Sequence, residues 1–233
     1  MRPDAQPVMR DVVLVGGGHS HVGVLRHFAM RPLPGVRITL ICTDAHTPYS
    51  GMLPGYVAGH YDYDDVHIDL SRLAQFAGAR FIRAEVIGMD RVQRQLMLRG
   101  RPALHYDLVS INIGSTPQVD AVPGAAAHAV AVKPIFRFNQ RWLALRARMQ
   151  DHAGPATIAV VGGGAGGVEL TLAMQYRLRT TLRERGRDPD LLVFHLFTAD
   201  ATVLPTHNAA VQRRFAQEIG RATSELQSRQ YLV

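Results

Sequence analysis

The chain has 233 residues, 47% of them hydrophobic, enough to bury one large core or two modest ones, and this marks a globular protein rather than a disordered one. Its formal charge of +7 is almost wholly arginine, since Lys133 is the only lysine; the arginines are scattered over helical stretches and not clustered with aromatic residues, which excludes nucleic acid as the expected partner. A single cysteine, Cys42, excludes an internal disulfide and a redox-active cysteine pair, so electrons passing through this chain need a bound cofactor.

Residues 11–15 form a β-branched run and predict a first strand. After three glycines, residues 20–30 place Val22, Leu25 and Phe28 at helical spacing, and Pro32, Pro34 and Gly35 break that helix. Residues 36–41 read as a second strand, which completes a βαβ unit. The stretch 44–65, rich in Pro, Gly, Tyr and Asp, is too long for an idle connection and is expected to be functional or mobile. A short helix near 69–77 follows, then strands at 80–86 and 93–98, the second antiparallel, and an apolar run at 107–113 that ends on Gly114. Residues 116–134 read as a connector and 136–150 as a helix.

The pattern then restarts, with a strand at 157–161, glycines, a helix at 167–185, a strand at 191–197 and a helix at 208–222. Two βαβ openings are a degenerate internal repeat. The expected fold is α/β, two Rossmann-like units of the glutathione-reductase type, over residues 1–122 and 123–233, the second incomplete. The longest apolar stretch, 157–174, is interrupted by glycines and Glu169, so no transmembrane segment is expected, and no secretion signal is read at the N-terminus. A cytoplasmic protein is expected, with contact to an anionic membrane face left open.

Each glycine loop follows a β-branched strand and precedes an amphipathic helix. The second is a full G-x-G-x-x-G: Gly162 permits the tight turn, Gly164 lets backbone approach a pyrophosphate, and Gly167 lets helix and strand pack closely. Helix N-terminal amides would hold the phosphates. The first loop has Gly16, Gly17 and Gly18, but His21 stands at the third glycine position, to be accommodated by looser packing or a side chain turned outward. His19 and Ser20 lie near phosphate or flavin, or are local caps; a metal at His19 and His21 is disfavoured because residues two apart on a helix do not share a face. An acid about 20 residues past such a loop usually binds ribose. Cys42 occupies that point, and Asp44, two residues on, either reaches a ribose or is a solvated turn residue. In the second unit Thr198 and Ala199 follow the strand, so NADH and NADPH are not distinguished.

With both loops in place, the chain resembles the FAD-dependent pyridine nucleotide-disulfide oxidoreductase superfamily, in the branch similar to type II NADH dehydrogenases. Gly-Gly-Gly-His-Ser-His at 16–21, Thr-Pro-Tyr-Ser-Gly-Met-Leu-Pro-Gly at 47–55 and Val-Lys-Pro-Ile at 132–135 are similar to the oxidoreductase module fused ahead of selenide, water dikinase. The resemblance implies that Gly16, Gly17, Gly18, His19 and Ser20 hold the FAD pyrophosphate, that the loop containing Tyr49 passes the flavin, and that backbone at Val86 meets adenine. The stretch 106–117, with Gly114, is similar to the second flavin motif, although Asn112 and Ile113 replace its usual Ala-Thr. Gly162, Gly164, Gly167 and Glu169 match the loop for NADH or NADPH. Lys133 is a surface charge or a cofactor group, and Tyr49, Met52 and Leu53 are flavin contacts or loop anchors.

The implied activity is hydride transfer from nicotinamide to flavin and on to a quinone or other small acceptor, with no side chain singled out as acid or base. Nothing in the sequence matches the superfamily's returning FAD segment or its interface domain. The competing expectation is therefore a truncated, inactive nucleotide-binding module, or part of a split flavoprotein whose partner supplies the missing C-terminal half; a homo-oligomer is left open.

Overall fold

A computed structural model describes residues 7–117 and 119–222. The expectations that touch residues 1–6 and 223–233 lie outside the described residues. In chain order the first elements are β1 (Arg10–Val15), α1 (His19–Met30), β2 (Val36–Cys42), β3 (His46–Pro48), α2 (Leu53–Ala58), α3 (Tyr63–Val66), β4 (His67–Asp69) and α4 (Leu70–Phe76). Then come β5 (Arg80–Arg83), β6 (Val86–Asp90), β7 (Gln95–Leu98), β8 (Arg101–His105) and β9 (Leu108–Ile111). The remainder is α5 (Ala125–His128), α6 (Ile135–Asp151), β10 (Ala156–Val161), α7 (Ala165–Glu184), β11 (Leu192–Phe197) and α8 (Ala209–Ala222).

Two compact units result. Among the described residues, one comprises 7–49 together with His67–Pro117; the other comprises Ser50–Val66 with 119–222. Residues 50–66, placed in the first unit by the sequence reading, therefore group with the second.

The first unit is built on a parallel sheet of order β5-β2-β1-β9. Because side chains alternate across a strand, β1 feeds two layers. Leu14 packs with Leu25 of α1, Ile38, Leu40 and Leu70, while Val13 and Val15 pack with Leu96, Leu98 and Tyr106 on the other side. A strand covered on both faces reads as a continuous apolar run, which is why β1 and β2 were legible. The second layer is an antiparallel sheet of order β6-β7-β8. The run 80–86 proves to be two strands, since β5 stops at Arg83 and β6 starts at Val86 in the other sheet. β8 carried no signal: it pairs only with β7, and an edge strand tolerates Pro102 and a largely exposed face.

In the second unit β10 and β11 pair in parallel and α7 lies on them. Leu170, Ala173, Met174 and Leu178 of α7 share a core with Leu53 and Val57 of α2, Phe138 and Trp142 of α6, and Phe194 of β11. A second cluster joins Val168 and Leu196 to Val203, Leu204 and Ile219 of α8. The stretch 44–65 is mostly ordered structure, with α2 using Pro54 in its first turn and closing on Gly59 at φ 87°. Among the described residues no helix is long and apolar enough to cross a membrane.

Candidate functional site

At the end of β1, Gly16 turns the chain with φ 93°, a conformation that favours glycine, and its amide donates to the Ile41 carbonyl at 2.7 Å. A side chain there would also collide with backbone at Asn112 and Ile113. α1 then starts from Gly18 as its N-cap, with no side-chain cap and no acid in the first turn. First-turn amides of a helix lack intrahelical acceptors, so the His19 and Ser20 amides are open donors at a positive helix end. Two helices of this chain are instead capped by side chains: Asp69 accepts from the amides of Ser71 and Arg72 ahead of α4, and Asn208 from that of Val211 ahead of α8.

His21 overturns its expectation of looser packing or an outward ring. It is 1% exposed, with Nδ1 2.7 Å from the Gly16 carbonyl and Nε2 2.9 Å from Ser110 Oγ. A carbonyl can only accept, so Nδ1 carries a hydrogen toward Gly16, and in the neutral ring the Ser110 hydroxyl then donates to Nε2. The ring thus ties the glycine turn to β9, and it hydrogen-bonds the turn's carbonyl on the buried side. Sequence reasoning missed Ser110, because nothing in a serine 89 positions away marks it as a histidine partner.

The structure brings His19 and Tyr49 together, with ring centroids 4.7 Å apart edge to face. Gly114, at φ 77°, turns the chain after β9, and Asn112 just before it accepts the Gly18 amide at 3.1 Å. Asp44 fixes the turn after β2, its Oδ1 accepting from the His46 amide at 3.2 Å. Val86 packs against the cluster of Val13, Leu96 and Tyr106 and pairs with Leu98. Cys42 is buried, and burial, helped by the nearby Asp44 charge, pushes its thiol up to about 11, which leaves it unreactive.

The second corner repeats the first. Gly162 turns at φ 123° and its amide donates to the Phe197 carbonyl at 2.8 Å. A side chain at Gly167 would strike the Gly162 carbonyl, so α7 and β10 close together only because this residue is glycine. Gly164 is different: its backbone, φ −75° and ψ 177°, suits any residue, and an added side-chain carbon would meet no atom within 4 Å. Gly164 is also the N-cap of α7, again without a side-chain cap or first-turn acid. Glu169 and Lys133 line one cavity of ≈ 250 Å³ with Ser50, Gly51, Pro54 and Gly166. The residues present therefore fit a diphosphate: bare helix ends and tight glycine turns at both corners, with open space over Gly164 at the second.

Comparison with known proteins agrees. The sequence matches the pyridine nucleotide-disulphide oxidoreductase family over residues 10–229. It is 27% identical over 191 residues to the NADH dehydrogenase-like protein YutJ of Bacillus subtilis, covering 80% of this chain and 48% of that protein. It is 28% identical over 123 residues to the demethylphylloquinone reductase NdbB of Synechocystis, covering 48% of this chain and 30% of that one. The fold superposes on NDH2 of Plasmodium falciparum, solved with NADH, at a TM-score of 0.74 and 14% identity, over 92% of this chain and 46% of the other. The chain thus spans about half the length of YutJ or less than half of these others. It belongs to the pyridine nucleotide-disulphide oxidoreductase family.

Proposed function

We propose that this member of the pyridine nucleotide-disulphide oxidoreductase family contributes the two nucleotide-binding corners of an FAD-dependent NAD(P)H oxidoreductase, with FAD at Gly16–Ser20 and NADH or NADPH at Gly162–Gly167. The observation that carries the reading is Gly164, a glycine that neither its backbone nor any neighbour requires, at the uncapped start of a helix of 20 residues. Room for a phosphate against bare amides explains it.

When bound, nicotinamide and flavin supply the hydride chemistry. The chain's own residues bind and orient. The His19 and Ser20 amides and the Gly17 turn hold one diphosphate, and the Gly164 corner holds the other. Asp44 is assigned to the adenosine ribose, Tyr49 to the flavin edge, backbone at Val86 to adenine and Gly114 to the turn beside the flavin. Lys133 and Glu169 bring one positive and one negative group to the cavity on the nicotinamide side. A quinone is the favoured acceptor, supported by the demethylphylloquinone reductase among the relatives, and such an acceptor would bring the protein to a membrane surface. A place in selenium metabolism rests on the motif likeness to the module fused to selenide, water dikinase.

Purified chain mixed with FAD should show a flavin spectrum that bleaches on anaerobic addition of NADH or NADPH and recovers with a soluble quinone. A bound flavin that nicotinamide never reduces would support the second reading, a binding module completed by another polypeptide. A chain that binds neither nucleotide removes both.

A further inference from the structure

We infer that the Asn112 carboxamide is a ligand of the diphosphate at the first glycine corner, a side-chain donor standing where the backbone is already engaged. The inference rests on the FAD reading of that corner and adds a residue which that reading did not use.

The backbone of Gly18, at φ −66° and ψ 162°, lies in a region open to any residue. Its geometry does not ask for glycine. The contact comes from Asn112: a side-chain carbon added at Gly18 would fall on Cγ, Oδ1 and Nδ2 of that residue, the three nearest atoms to it, and the carboxamide would have to move aside. The carboxamide is therefore laid directly on the Cα of the α1 N-cap. At the second corner nothing lies within 4 Å of the matching position, Gly164. The same glycine of the motif is thus kept open in one unit and covered by an amide in the other.

Two of the three glycine amides at the first corner are also unavailable to an anion, since Gly16 donates to Ile41 and Gly18 to the Asn112 carbonyl, at 2.7 and 3.1 Å. The carboxamide itself is half-buried and makes no hydrogen bond to any described residue. A partly buried amide normally has partners. Its position at a helix N-terminus with no acid in the first turn makes an anionic acceptor the complement. A phosphate oxygen selects the NH2 end of the side chain, the amide flip being free to follow the ligand. The first corner then grips its diphosphate with helix amides plus one side-chain amide, and the second with backbone alone.

The test titrates the full chain with FAD and with ADP, which carries the diphosphate without the flavin. Asn112→Ala should weaken both about tenfold, the worth of one hydrogen bond to a charged group, with its melting temperature unchanged. Asn112→Asp keeps the shape but sets a negative charge against the phosphates, and should bind more weakly than Asn112→Ala. A residue that merely packs would leave Asn112→Ala binding FAD and ADP as tightly as the unmodified chain, and that result overturns the inference while leaving the parent reading intact. If the unmodified chain binds neither FAD nor ADP, the parent reading itself fails. The placement has its own check in melting temperature: Gly18→Ala should destabilise the chain, and adding Asn112→Ala should restore most of the loss. No restoration means that the carboxamide does not lie on Gly18.

Discussion

At Gly16 the turn's carbonyl accepts a hydrogen bond from the His21 imidazole, whereas at Gly162 the matching carbonyl is approached by the bare backbone of Gly167. One motif position is thus filled in two ways, by a polar side chain that satisfies the carbonyl and by the absence of any side chain. His21→Leu keeps the bulk and leaves the Gly16 carbonyl and the Ser110 hydroxyl without their partner. It should cost about 1–3 kcal/mol in urea denaturation. A second residue-scale effect lies at the start of β1, where Arg37 Nε and Nη2 donate to Asp11 Oδ1 and Oδ2 at 2.5 and 2.7 Å. The hydrogen bond from Arg37, more than its charge, holds the Asp11 carboxyl below its usual value. A carboxyl depressed in the folded state stabilises above the unfolded value, near 3.9, and loses that contribution as pH falls through the lower folded one. Asp11→Asn should therefore cost up to about 1 kcal/mol at neutral pH, since the pair is partly solvated, and the difference should shrink toward zero in acid titration. Asp11 and Arg37 were not singled out in the sequence, because their pairing depends on the register of β1 with β2.

At the scale of elements, the two glycines of the second corner separate stability from binding. Gly167→Ala pushes a methyl into the Gly162 carbonyl and forces α7 away from β10. The expected cost is at least about 2 kcal/mol, read as a lowered denaturation midpoint. Gly164→Ala meets open space at an unstrained backbone and should cost less than about 1 kcal/mol. It should nevertheless weaken NADH or NADPH about tenfold in a fluorescence titration, because its methyl occupies the room left for phosphate. Equal effects of both changes on stability would remove the distinction. The helices and central strands were legible because burial on one or both faces writes a period into the sequence. β8 and the short helices between 50 and 66 were not: the strand is an edge with Pro102, and α2 spans only six residues, too few for a period to show.

At the scale of the whole molecule, the second unit is assembled from two stretches of chain. Leu53, Val57 and Ala58 of α2 complete the core of α6 and α7. A fragment cut at the boundary read from sequence, residues 123–233, would lack them and expose Leu170, Ala173 and Met174. It should bind ANS strongly and lack the near-ultraviolet circular dichroism of a packed core, while the full chain should do neither; a fragment that folds as well as the full chain would show that α2 is dispensable. Among the described residues β9 is an edge strand of its sheet and β10 of its own, with Leu108 and Ile111 of β9 each 57% exposed and Val161 of β10 84% exposed. The sequence by itself determined the α/β class, the two strand–glycine–helix corners and the family likeness, because hydrophobic period and turn-permitting glycines are local properties of the chain. Only the tertiary structure decided that His21 turns inward, that Asn112 covers Gly18 and that residues 50–66 join the second unit. Each of those depends on contacts between residues far apart in sequence, which no local pattern encodes.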